Sequence, residues 1–164
     1  MKQKKAVSKS VTFEYPCYML PPFLQGVVSL KDYRDWLDHK ANHLWVRDNK
    51  LNRPCAKENP IRAYKQKIHQ AVIDGGEFDP YTGEKINWEL ISKVKTLKRE
   101  EYVNDFLNAN AMLPAVDHIN PEEFGFEICS WISNESKSCM TPEEFVGFCQ
   151  KVVSFRGQVK NSRW

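Results

Sequence analysis

The sequence predicts an α+β fold, in which a helical N-terminal part packs on a small hairpin-and-helix core. Three observations carry that expectation. Apolar residues recur at helical spacing between residues 30 and 76, two short runs rich in β-formers follow at 112–119 and 126–132, and a capping box opens a last helix at Thr141.

Taken in order, residues 1–25 read as an extended basic arm. Lys2, Lys4, Lys5 and Lys9 stand among almost no apolar residues, and Pro16, Pro21 and Pro22 keep the stretch from Tyr15 to Leu24 out of the helical region. Residues 26–77 read as a helical scaffold. Ser29 and Asp32 have capping-box spacing, and Leu30, Tyr33, Trp36, Leu37, Ala41, Leu44 and Trp45 mark one face of a helix over Leu30–Val46. Asn59 is placed to cap a second helix with Pro60 at its first position; Ile61, Tyr64, Ile68, Ala71 and Val72 form its stripe, and Gly75 and Gly76 end it.

Residues 78–155 change character. Asp79, Pro80, Thr82 and Gly83 predict a tight loop or hairpin between Phe78 and Trp88. Ser92–Asn110 reads as a charged helix with Val94, Leu97, Tyr102, Phe106 and Leu107 on one side. Met112–Ile119 and Phe126–Ile132 read as strands separated by the turn residues Asn120 and Pro121. Thr141, Pro142 and Glu144 start a helix to about Val153, with Phe145, Val146, Phe148, Cys149, Val152 and Val153 as its apolar face. Residues 156–164 form a basic tail.

A chain of 164 residues, 41% hydrophobic and 27% charged, can bury a core as one compact domain, and nine Pro with seven Gly exclude collagenous or low-complexity classes. The sequence contains no run of 18 apolar residues, and its start, MKQKKAVSKSVTFEYP, lacks the apolar stretch of a secretory signal, so a cytoplasmic protein with no membrane partner is expected. Five cysteines without a C-x-x-C pair predict reduced, mostly buried thiols rather than disulfides or a zinc knuckle. The net charge of +3 hides a local excess: Arg47, Lys50, Arg53, Lys57, Arg62, Lys65 and Lys67 outnumber Asp48 and Glu58, as a phosphate-facing surface or a solvated helix face would.

Candidate chemistry rests on the histidines. His39 and His43 stand four apart on the first helix, but no zincin-type Glu adjoins His39, and a surface position explains both; His69 reads as a packing residue. Asp117-His118 is different, because an acid directly before a histidine at the end of an apolar strand sends two polar groups to opposite faces or redirects one of them into a turn. A carboxylate suits Mg²⁺, and a neutral imidazole is a natural base for water near pH 7. Asn134 and Lys137, in the polar turn Ser133–Ser138, would share a face of a helical turn.

The segments DPYTGE, VDHINP, FEICSWISNESK and TPEEFVGFCQKV resemble the HNH endonucleases, whose core is the ββα-metal fold, over Phe78–Val153, about half the chain. GVVSLKDYRDWL also resembles the region upstream of this core in a group of bacterial proteins that carry the variant. The resemblance implies that Asp117 binds a divalent metal, that His118 is the general base, that Asn134 is the second metal ligand and that Lys137 lies near the phosphate. Gly125 or Phe126 stands where the pattern's central asparagine would fall, with Asn120 close by. Thr82–Glu84 and Ser130–Ser133 occupy the turns that carry a zinc knuckle in many relatives, so no structural zinc is expected and packing of Trp88, Trp131 and Phe145 would replace it. The expectation is a DNA endonuclease using one Mg²⁺, with Mn²⁺ or another transition metal next, leaving a 5′-phosphate and a 3′-hydroxyl; Arg53, Arg62, Lys65 and Lys137 would bind the nucleic acid. The alternatives are an inactive nucleic-acid-binding ββα module and a helical protein-interaction domain.

Overall fold

The computed structural model describes residues 18–93, 110–120 and 123–161, the last four by their backbone only. The order of elements is a 3-10 turn (Pro22–Leu24), α1 (Leu30–Lys50), α2 (Pro54–Glu58), α3 (Ile61–Gly75), α4 (Leu90–Lys93), β1 (Pro114–His118), β2 (Phe126–Ser130), α5 (Trp131–Lys137) and α6 (Pro142–Asn161). Mixed helices with a two-stranded antiparallel sheet make the fold α+β. No helix among the described residues is long and apolar enough to cross a membrane.

Ser29 caps α1 as its spacing predicts, its hydroxyl accepting from the Asp32 amide at 3.0 Å. The helix then continues one turn past Val46, to Lys50, and brings Asp48 into the interior. Asn59 does not cap α3. It follows the short helix α2, whose first residue is Pro54, and its side-chain amide donates to the Cys55 carbonyl, while Pro60 takes the cap position of α3. A five-residue helix is too short to show periodicity, and Pro at its first position was the local signal.

The core is a stack of α1 and α3 against one face of the sheet. Tyr33, Trp36, Leu37 and Leu44 of α1 meet Tyr64, Ile68 and Val72 of α3, with Ile86, Trp88 and Ile91 at one end and Val116, Phe126 and Ile128 of the strands beneath. The supposed arm is anchored at its end: Leu24 is buried and Tyr18 and Leu20 pack on this core. Trp88 donates its indole N–H to the Gly76 carbonyl at 2.7 Å. A Cβ at Gly76 would lie 2.8 Å from the Val72 oxygen, so a side chain there would force the helix end apart.

The loop after Phe78 is built on Asp79. Its Oδ1 accepts from the amides of Tyr81 and Thr82, each at 2.9 Å, and its Oδ2 accepts from the Ser130 amide at 2.6 Å, so one buried carboxylate ties the two turns together. Gly83, at φ +71°, closes the turn, and Phe78 bridges Lys85. Of the helix expected over Ser92–Asn110, only its ends fall within the described residues, as α4 and Asn110; residues 94–109 lie outside them.

β1 and β2 pair with Asp117 opposite Glu127 and His118 opposite Phe126. Ser130 then caps α5, its hydroxyl accepting from the Ser133 amide at 3.2 Å. At α6 the capping box forms as predicted, with Thr141 and Glu144 exchanging side-chain bonds to each other's amides. Two expectations need correction here. The helix runs on to Asn161, through the start of the expected tail, and its apolar face is not buried: Val146, Phe148, Val152, Val153 and Phe155 are exposed, while Phe145 meets Tyr81 edge-on. Among the described residues only half of the thiols are in the interior, and Cys17 lies outside these residues. Cys55 and Cys129 are buried, Cys149 is half-buried and Cys139 exposed, and all four are free. His39 and His43 are exposed and His69 packs, its Nδ1 2.7 Å from the Tyr33 hydroxyl.

Candidate active site

Where α1, β1 and α5 meet, a cleft of about 310 Å³ opens. Arg47, Arg53, Asp117, His118, Asn134 and Lys137 line it, with Leu51, Glu135, Ser138 and Cys139 at its sides. Each arrives by a local rule. Strand alternation sends Asp117 and His118 to opposite faces at the strand end, the three-residue spacing on α5 puts Asn134 and Lys137 on one side, and the added last turn of α1 delivers Arg47.

His118 is almost wholly buried, and both ring nitrogens are engaged. Its Nδ1 lies 2.8 Å from Arg47 Nη2, and its Nε2 lies 2.9 Å from Asp48 Oδ2. A guanidinium has only donors, so Nδ1 must offer a lone pair to Arg47. Nε2 therefore carries the proton and donates it to Asp48. Arg53 Nη1 stands 3.4 Å from both ring nitrogens, alongside the ring rather than in line with either lone pair.

Asp48 is fully buried and fully used. Oδ1 accepts from Arg53 Nη1 at 2.9 Å, and Oδ2 accepts from the Tyr64 hydroxyl at 3.0 Å as well as from His118. Burial alone would push its carboxyl pKa up, but the bonds from His118 and Tyr64 and the charge of Arg53 prevail and hold it below the usual carboxylate range. Asp48, Cys55 and His118 each offer a ligand atom within 4.8 Å of one another, an arrangement that can hold a metal ion. Here those atoms are already bonded to one another or to Tyr64, and two guanidiniums press on them, so a cation would enter against like charge.

On the other side of the strand, Lys137 is buried and its Nζ lies 2.8 Å from Asp117 Oδ2. That oxygen is itself buried and accepts no well-directed hydrogen bond. Hard oxygen donors with spare lone pairs, this carboxylate and the amide of half-buried Asn134 on the same cleft, fit Mg²⁺ or Mn²⁺.

Of the residues singled out in the sequence, Asp117, His118, Asn134, Lys137 and Arg53 come together on the cleft. Arg62 and Lys65 do not line it. Both lie on α3, Arg62 exposed and Lys65 paired with Asp38 over the Tyr18 ring. Asn120 lies outside it too, donating to Glu123 at 3.1 Å. Sequence reasoning missed Asp48 and the particular place of Arg47. The signal was there: Leu37, Ala41, Leu44 and Asp48 follow one another at four, three and four residues, so Asp48 occupies the next core position of the stripe. A charge at such a position requires buried partners.

No protein-family model matches the chain, and no curated protein or solved structure does either.

Proposed function

We propose that the chain is a metal-dependent endonuclease of the HNH type that hydrolyses DNA phosphodiester bonds, with β1, β2 and α5 as its ββα core. The observation that carries this reading is the meeting of Asp117, His118, Asn134 and Lys137 on one cleft with two arginines that lie 65 and 71 residues before β1's end. Three cationic side chains on one cleft, two of them beside the His118 ring, suit an anionic diester.

Asp117 and Asn134 would hold one divalent ion, Mg²⁺ ahead of Mn²⁺, which when bound supplies charge stabilisation at the phosphate and the departing oxygen. Arg47, Arg53 and Lys137 bind and orient the phosphate. His118 removes a proton from the attacking water through Nδ1, the nitrogen on the cleft side, and the products carry a 5′-phosphate and a 3′-hydroxyl. Affinity that comes from neutralised phosphates falls steeply as salt rises.

Plasmid nicking tests the reading. His118→Ala should abolish cleavage in Mg²⁺ and leave DNA binding nearly unchanged; undiminished cleavage by that variant, or by wild type in EDTA, rules the reading out. One observation favours a second reading, a binding module without catalysis: Lys137 already neutralises Asp117 and Arg47 already covers Nδ1. That module would bind DNA without metal and cleave none in Mg²⁺, Mn²⁺, Co²⁺ or Ni²⁺.

A further inference from the structure

The two nitrogens of His118 face different surroundings. Nδ1 is turned to Arg47, a residue of the cleft wall, whereas Nε2 is turned inward to Asp48, which is fully buried and takes no part in lining the cleft. Asp48 reaches this place from α1, 70 residues earlier in the chain, and is itself fixed by Tyr64 of α3 and Arg53. An acid clamped by three partners cannot swing away, so the imidazole it holds has one orientation and one tautomer.

We propose that Asp48 is the positioning residue of His118: by accepting the Nε2 proton it fixes the Nε2–H tautomer and leaves Nδ1 as the base atom at the cleft. The inference rests on the nuclease reading. In the step, a water O–H bond breaks and its proton goes to Nδ1, the water oxygen bonds to phosphorus, and the P–O3′ bond breaks with its electron pair on O3′, which takes a proton from solvent. The imidazolium formed keeps its Nε2–H on the Asp48 carboxylate, then returns the Nδ1 proton to solvent. Arg47 covers Nδ1 until a phosphate is present; its side chain is 41% exposed, so it can turn from an imidazole lone pair to a diester oxygen, a stronger acceptor.

The rival role for the same atoms is a metal site on Asp48, Cys55 and His118, which would require Nε2 without a proton. The two are separable by long-range ¹H–¹⁵N correlation on labelled full chain, with His118 assigned by its loss in His118→Gln. The expected wild-type pattern is Nε2 protonated and Nδ1 bare, unchanged by Zn²⁺ or Co²⁺. Asp48→Asn, whose side-chain amide can offer an N–H to Nε2, should let the Nδ1–H form appear and lower the cleavage rate at saturating DNA by about 100-fold or more, with DNA affinity nearly constant. Asp48→Glu, which keeps a carboxylate, should recover most of that rate.

A wild-type Nδ1–H pattern overturns the inference, and so does a Co²⁺ thiolate absorption that Cys55→Ser abolishes. An Asp48→Asn variant that cleaves normally overturns it as well. If Asp48→Asn does not fold, the wild-type tautomer decides. Absence of cleavage by wild type would count against the nuclease reading, whereas cleavage by wild type with no loss in Asp48→Asn would count against Asp48 alone.

Discussion

On the hairpin face turned to α1 and α3, the Asp48 carboxylate meets an imidazole, a phenol and a guanidinium at hydrogen-bonding distance; on the opposite face Glu127 lies directly across from Asp117 and accepts from the Tyr81 hydroxyl at 2.5 Å. The outcomes diverge. Asp48 stays below the ordinary carboxylate range despite its burial, whereas Glu127 is pushed up, first by burial and then by the charges of Asp117 and Asp79, more than Tyr81 and Lys137 recover. The same face also holds the Cys129 thiol up, through burial and then the charge of Asp117. A buried acid is kept ionised by the number of donors aimed at it, and β-pairing alone, which sets two acids side by side, works against that.

The largest expected effect would break the comparison outright. Asp48→Ala leaves Arg53, Tyr64 and His118 facing one another without an acceptor and should cost ~3–5 kcal/mol in urea unfolding. Glu127→Ala strands one half-buried hydroxyl and should cost about 1 kcal/mol; equal losses would mean that the two faces do not differ. Next come the phenols. Tyr64→Phe removes a bond to a buried, charged acceptor and should cost about 2 kcal/mol, roughly twice the loss in Tyr81→Phe, as read from thermal unfolding.

The pH dependence of stability sharpens the contrast, because the signs are opposite. Asp48 and Asp79 have lowered pKa values, in Asp79 because the Ser130, Thr82 and Tyr81 bonds outweigh burial, so each contributes stability that is present above the unfolded value near ~4 and is lost as pH falls through its folded value. Glu127 has a raised value, so the native state gains stability as pH falls from neutral through that value towards ~4.3. Asp79→Asn should flatten the acid limb of the stability curve and Glu127→Gln the limb above it. The smallest effect follows: at pH 7, Glu127→Gln should slightly raise the unfolding midpoint, since the amide still accepts from Tyr81 and no charge is buried.

α3 and α6 show where reading the sequence stops. Both helices display a regular apolar stripe, and α6 has the stronger start signal, with Thr141, Pro142 and Glu144 in place. Capping and spacing act within about one turn, so both helices formed close to their expected starts, α3 from Pro60 rather than Asn59 and α6 running on past Val153. Burial depends on what stands opposite, and only α3 has a wall of α1 and the sheet to face. The same division runs through the cleft. Asp117 with His118, and Asn134 with Lys137, were legible because strand alternation and helical spacing are local. Arg47 was visible as charge only, and Asp48 hid two residues past the point where the apolar run breaks off at Val46.

By itself the sequence determined the α+β class, the starts of α1, α3 and α6 to within a residue or two, the two strands and the polar residues at the end of the first, but not the short helix α2. Periodicity, capping and turn chemistry operate over a few residues and need no knowledge of the rest of the chain. Tertiary structure decided which stripe is buried, which two cations join the cleft out of seven in the basic stretch, and which acid faces His118. Those choices bring together residues 47, 48, 53, 118 and 137, whose contacts exist only once α1, β1 and α5 have packed, and whose charges are tolerable only because they then satisfy one another.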